Sequence, residues 1–216
     1  MQALLSTAYF GPVQWYQKLC RYDTVLIERH DSYRKQTFRN RCVIATANGP
    51  QTLTVPVERD GAVTVRDIRM SDHGNWRRLH WHALTTAYSE SPFFDYYADD
   101  LRPFFERRWD YLYDFNMEAC AKVCELLDIS TRIRPTDEYV RNEECGCLHG
   151  SSASVTEISS IVDFRDAIDP KHPQPDPSFL PRRYYQVYEH RHGFLPNLSI
   201  LDLLFNMGPE GIFWLL

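Results

Sequence analysis

Four basic side chains, Arg34, Lys35, Arg39 and Arg41, fall within eight residues, with Tyr33 and Phe38 among them. Arginine's planar fork meets phosphate and carboxylate through two parallel hydrogen bonds, so the cluster suits an anion. Just upstream stand Glu28, His30 and Asp31, all able to take or give a proton at a reacting centre. The proton-transfer candidates, in decreasing order, are His30, His80, Asp31 and Glu28. Tyr9, Tyr33, Arg34, Lys35, Arg39, Asn40 and Arg41 are the candidate ligand contacts. A bland alternative competes with this reading: arginines on a strand edge also keep that edge soluble and unpaired.

Charge distribution limits the ligand. The 216-residue chain has a formal net charge of −5, yet residues 1–57 carry seven Lys/Arg against three Asp/Glu. An acidic whole with a local basic patch argues against nucleic acid, which needs a broad positive surface. A small anionic substrate fits better. Hydrophobic residues make 44% and charged residues 25% of the chain, as in an ordinary globular protein of one domain. Met1–Phe10 lacks a basic start and a long apolar core, and no run could span a bilayer. The expectation is therefore a cytoplasmic protein with reduced cysteines.

The elements that must position the cluster are legible around it. Ala3–Thr7 is a short apolar run, and Gly11-Pro12 turns into a helix over Val13–Cys20. Thr24–Glu28 is a second buried run, so the opening predicts a βαβ unit with two parallel strands. Ligands of such units bind beyond the carboxyl ends of the strands, here Ser6–Tyr9 and Glu28–Asp31. The basic segment follows directly. Cys42–Ala47 and Gln51–Val57 flank Asn48-Gly49, a pair that tolerates the positive φ of a tight hairpin turn. With that turn, Ala47 pairs with Pro50, Ile44 with Leu53 and Cys42 with Val55. Cys42, Ile44, Leu53, Val55 and Val57 form the apolar face, while Arg41, and Arg39 if the strand extends, share the polar one.

Further along, Val63–Met70 is β-like and Trp76–Ser89 is a helix whose apolar stripe includes His80. A histidine there is more often a core residue than a catalyst. Asp99–Leu127 reads as one long helix kinked at Pro103, Asp128–Arg134 as a short strand, and Tyr184–His190 as an alternating strand. Residues 141–181 form a flexible Pro/Ser-rich connection. Within it Cys145, Cys147 and His149 have poor spacing for zinc, so no metal is expected. Ser199 with Asp202 approximates a capping box for a helix over Ile200–Met207. No P-loop, dinucleotide fingerprint or other cofactor motif is present.

Three stretches together resemble the WbqC-like protein family. Ser32-Tyr33-Arg34-Lys35-Gln36-Thr37-Phe38-Arg39-Asn40-Arg41, then Asn48-Gly49 and Leu53-Thr54-Val55-Pro56-Val57, resemble its middle pattern Q-Y-x-K-R-S-W-R-N-R…N-G…W-L-T-V-P-V. Pro196 to Glu210 resembles its closing pattern P-N-L-S-I-x-D-L-L-F-N-x-G-P-E. Ser6–Tyr16 keeps the aromatic and proline character of the opening pattern without its Gln-Pro start. The resemblance implies a transferase in bacterial surface-polysaccharide (O-antigen) synthesis, moving an aminoacyl group such as glycine, or an acyl group, to a sugar. Two other readings stay open. One is nucleotidyl transfer, although the expected H-x-G-H is missing; the other is a non-catalytic binding or scaffold protein of glycan assembly. The fold expectation is one α/β domain with a mixed sheet, an opening βαβ unit and an Asn-Gly hairpin.

Overall fold

Residues 1–58, 61–141 and 161–216 are described in the computed structural model. The opening βαβ unit forms as expected, from β1 (Gln2–Ser6), α1 (Val13–Arg21) and β2 (Thr24–Glu28). Ala3, Leu4 and Leu5 are all fully buried, the continuous apolar run of a strand covered on both faces. Pro12 enters α1 with extended backbone, and Lys18 and Arg21 sit in its last turn, where a positive charge offsets the helix dipole.

The hairpin consists of β3 (Arg41–Thr46) and β4 (Gly49–Thr54), but its turn is not Asn48-Gly49. Thr46 pairs with Gly49, Ile44 with Gln51 and Cys42 with Leu53, so Ala47 and Asn48 make the turn. Only Gly49 has positive φ, +105°. The glycine's freedom is therefore used just after the turn, and the primed turn, which needs two positive φ values, does not form. Each pairing shifts by an even number of residues, so the faces survive: Cys42, Ile44, Leu53 and Val55 are all buried.

A second antiparallel pair joins β5 (Val57–Glu58) to β6 (Arg69–Met70). The β-like run before β6 instead holds a 3-10 turn at Val65–Asp67, stabilised by a Thr64 hydroxyl that bonds Asp67. Helix α2 (Trp76–Tyr88) follows. The long helix expected over 99–127 is three helices: α3 (Phe94–Leu101), α4 (Pro103–Glu106) and α5 (Leu112–Leu126). Pro103 begins a new short helix, and pairing at Asp110 and Tyr111 then keeps 107–111 out of the helical conformation. Met70 N donates to Asp110 O at 2.9 Å, and Arg69 bridges Tyr111.

Strand β7 (Arg132–Pro135) returns beside β2. Part of the expected connection, 142–160, lies outside the described residues. Its continuation contains β8 (Ile161–Asp163), which pairs with β1. Tyr184–His190 forms no strand. Tyr184 and Gln186 are buried and Tyr185 exposed, so the alternation is real, but both inward side chains bond Asp202 rather than facing a ladder partner. Short helices α6 (Glu189–His192) and α8 (Ile212–Leu215) flank α7 (Ile200–Met207). Ser199 caps α7 by accepting from Leu201 N at 3.3 Å, while Asp202 turns inward and leaves the capping box half-made.

The α/β architecture thus centres on a parallel four-stranded sheet in the order β7-β2-β1-β8, and the antiparallel pairs stand apart from it. β2 and β7 lie on one side of β1 and β8 on the other, so the strand order reverses at β1. In the described residues, no helix is long and apolar enough to cross a membrane.

Candidate functional site

A parallel sheet leaves a crevice beyond its strand ends where the order reverses, and ligands of open α/β sheets bind there. In this chain that crevice lies between the ends of β1 and β8. Ser6, Thr7 and Ala8 wall one side and Phe164, Arg165 and Ile168 the other, with Thr37 and Arg39 closing it. Arg39 is only 3% exposed. Its Nη2 donates to Ser6 Oγ at 2.9 Å and pairs with the Asp31 carboxylate, and its Nη1 reaches Thr37 Oγ1 at 3.4 Å. Asn116 Nδ2 holds its backbone carbonyl at 2.8 Å. Burial pulls the Arg39 guanidinium down from its ordinary value, and the Asp31 charge opposes that pull. Arg39 Nε and Thr7 Oγ1 are buried and have no hydrogen-bond partner among the described residues.

The ends of β2, β7 and β8 are tied together around Glu28. Its carboxylate accepts from His30 N at 2.8 Å, Thr136 Oγ1 at 2.8 Å and Val140 N at 2.9 Å. Arg165 Nη1 adds an ion pair at 3.6 Å. Arg165 also grips Asp163 through Nε and Nη2, the latter at 2.7 Å, and donates to Val140 O at 3.0 Å. Glu28 is therefore saturated, and its role in this arrangement is to hold three strand-end loops in register. The His30 ring has Nε2 3.2 Å from Thr136 O, so it leans on the same loop.

Above this base opens a cleft of about 220 Å³ lined by Asp31, Arg34, Tyr139, Arg165 and Asp166. The Arg165 guanidinium lies 5.2 Å from the Tyr139 ring centroid, and Arg34 pairs with Asp166 at 3.2 Å. Both signs of charge face the cleft, which suits a ligand that itself carries both.

The structure thus gathers Glu28, His30, Asp31, Arg34 and Arg39 at the strand ends. It places the other candidates elsewhere. Tyr9 is fully buried, its hydroxyl 2.8 Å from His80 Nδ1, and His80 packs edge-on to Trp76 at 5.1 Å. Burial lowers the His80 imidazole to about 4, so it is neutral near pH 7. Arg39 and Arg41, expected side by side on one polar face, part company. β3 begins only at Arg41, so its alternation does not reach Arg39. Arg41 instead lines a separate groove with Tyr33, Lys35 and Asn40.

The sequence reading missed Thr7, Thr136, Tyr139, Asp163, Arg165 and Asp166. Ile161-Val162-Asp163 did carry a signal: a short apolar run ending on a polar residue, like Leu4-Leu5-Ser6. Among the described residues, no group of three or more His, Cys, Asp or Glu is placed to hold a metal. Cys145, Cys147 and His149 lie outside the described residues.

Comparison with known proteins adds a relative of matching length. Uncharacterized protein Rv1507c of Mycobacterium tuberculosis (strain ATCC 25618 / H37Rv) is 31% identical over 222 residues, covering 96% of this chain and 94% of the relative. No solved structure matches significantly. The model of one family spans residues 7–213, from the loop after β1 through the basic segment to the closing helices, and the chain belongs to that family, the WbqC-like protein family.

Proposed function

We propose that this chain is a transferase that moves an aminoacyl or acyl group from a phosphate-bearing donor to a sugar during bacterial surface-polysaccharide synthesis. The observation that carries the reading is the mixed-charge cleft beside the reversal of strand order: Arg165 lines both that cleft and the crevice between β1 and β8, and Asp31 of the cleft pairs with Arg39 of the crevice. A volume of about 220 Å³ suits an amino-acid-sized group rather than a whole nucleotide sugar. Arg34 and Arg165 receive the donor's phosphate, and Asp166 faces the ammonium group of an aminoacyl moiety. The acceptor hydroxyl oxygen attacks the donor carbonyl carbon, the carbonyl–phosphate oxygen bond breaks, and the phosphate leaves with the bonding pair. Asp31, one oxygen held by Arg39, takes the hydroxyl proton. Positioning and charge complementarity supply much of the acceleration. The polysaccharide setting rests on the family resemblance.

Incubating the protein with an aminoacyl adenylate or an acyl phosphate and a panel of nucleotide sugars, with mass spectrometry of products, tests this reading. Acylated sugar is expected from the parent and loss of product with retained donor binding from Asp31→Asn. Binding without product across the panel would replace the transferase reading with that of a scaffold.

A further inference from the structure

The basic segment has a second side. Tyr33, Lys35, Asn40 and Arg41, with Thr54 to Val57, line an open groove of about 430 Å³, within the usual size of a small-molecule site. Its charge differs from that of the strand-end cleft. There, Arg34, Arg39 and Arg165 each have a carboxylate partner. In contrast, Lys35 and Arg41 form no ion pair among the described residues.

Two buried polar atoms sharpen the demand. Arg41 Nε is buried without a hydrogen-bond partner among the described residues and calls for an acceptor. Asn40 is 5% exposed, and its Nδ2 donates to Val55 O at 2.8 Å, which fixes the amide's orientation. Its Oδ1 is buried without a partner among the described residues and calls for an O–H or N–H donor. Leaving such groups unmet carries their full desolvation cost, so a ligand that satisfies both gains by entering. The floor is preformed, since Val55 N donates to Asn40 O at 2.8 Å and locks the two strand ends together.

We propose that this groove is a second binding site, for a hydroxyl-bearing organic phosphate. The phosphate sits on Lys35 and Arg41, and a ligand hydroxyl donates to Asn40 Oδ1. The site stands on its own residues and does not depend on what the strand-end cleft does.

Calorimetry with a hexose phosphate, the unphosphorylated hexose and inorganic phosphate tests it on the full chain. The hexose phosphate should bind saturably, the free hexose should not, and inorganic phosphate should bind more weakly. Lys35→Gln and Arg41→Gln should each weaken hexose phosphate binding by about tenfold or more, the usual worth of a charged hydrogen bond. Lys35 is exposed, so its variant keeps the parent's melting temperature and separates binding from folding. Four results overturn the proposal: no binding by the parent, parent-like affinity in both variants, inorganic phosphate binding as tightly as the hexose phosphate, or loss on Arg34→Gln without loss on Lys35→Gln.

Discussion

Asn197 caps a helix through a residue, Gln14, that lies 183 positions before it. Its Oδ1 accepts from Gln14 N, in the first turn of α1, at 2.9 Å, and its Nδ2 donates to Gln14 Oε1 at 3.1 Å. Pro12 has no side-chain oxygen to do this, so α1 takes its cap from the C-terminal segment. The surrounding contacts extend the joint: Val13 N donates to Leu198 O, Ile200 N to Gly11 O, and Ser199 Oγ to Phe10 O at 2.7 Å. The opening and closing family stretches are therefore two halves of one structure. That joint sets the loop after β1, and with it Thr7, at the edge of the crevice.

Asn197 also has φ +55°, a left-handed conformation that asparagine tolerates better than most residues. Asn197→Ala should lose the cap and strain the backbone, lowering stability by about 1–3 kcal/mol. Asn197→Gly should lose the cap alone and fall between alanine and the parent. Urea denaturation of the three proteins checks the order. If glycine is no better than alanine, the backbone conformation contributes nothing.

The strand ends were legible and the walls of the cleft were not, for a physical reason. Runs such as Ala3–Leu5 and Val25–Ile27 declare buried strands locally, and Pro12 marks the helix between them. By contrast, Glu28 finds its partners at Thr136, Val140 and Arg165, more than a hundred residues onward. Nothing near Glu28 distinguishes a loop-holding carboxylate from a catalytic one. Arg39 shows the same limit. Alternation from β3 predicts an exposed arginine, but Asp31 and Ser6 draw it inside. His80 was readable because its burial follows from the stripe on its own helix. β8 was hidden because three residues are too few to show a period.

His80 gives a pH prediction. Its folded value of about 4 lies below the ordinary histidine value of 6.5, so the unfolded chain binds a proton that the folded chain refuses. Stability from this group is full above about pH 6.5 and is lost as pH falls toward 4, by up to about 3 kcal/mol. His80→Gln should be less stable than the parent at pH 7, where the contact with Tyr9 is disturbed. Its deficit should shrink steadily on acidification through that window. Melting temperatures at half-unit pH steps check this, and a deficit constant with pH would mean that His80 is protonated in the folded protein.

Asp202 acts in the opposite direction over nearly the same range. The carboxylate is fully buried and accepts from Tyr88 OH at 2.8 Å, Tyr184 OH at 2.7 Å and Gln186 Nε2 at 2.9 Å. Burial raises it to about 6, although those three donors favour the charged form. The folded chain therefore keeps a proton that the unfolded chain, titrating at the ordinary aspartate value of 3.8, has already released. The sign is the reverse of that for His80: stability from this group is full below about pH 4 and declines as pH rises toward 6. At pH 4 the folded parent's neutral carboxyl presents one acceptor oxygen and one donor, as asparagine's amide does, so Asp202→Asn should cost only about 1 kcal/mol there, for the extra N–H it brings among the donors. Its deficit should narrow as pH rises to 6, because only the parent loses stability over that interval. A deficit that widens instead would show that the folded protein holds Asp202 ionised at pH 4, with the tyrosine and glutamine donors outweighing burial.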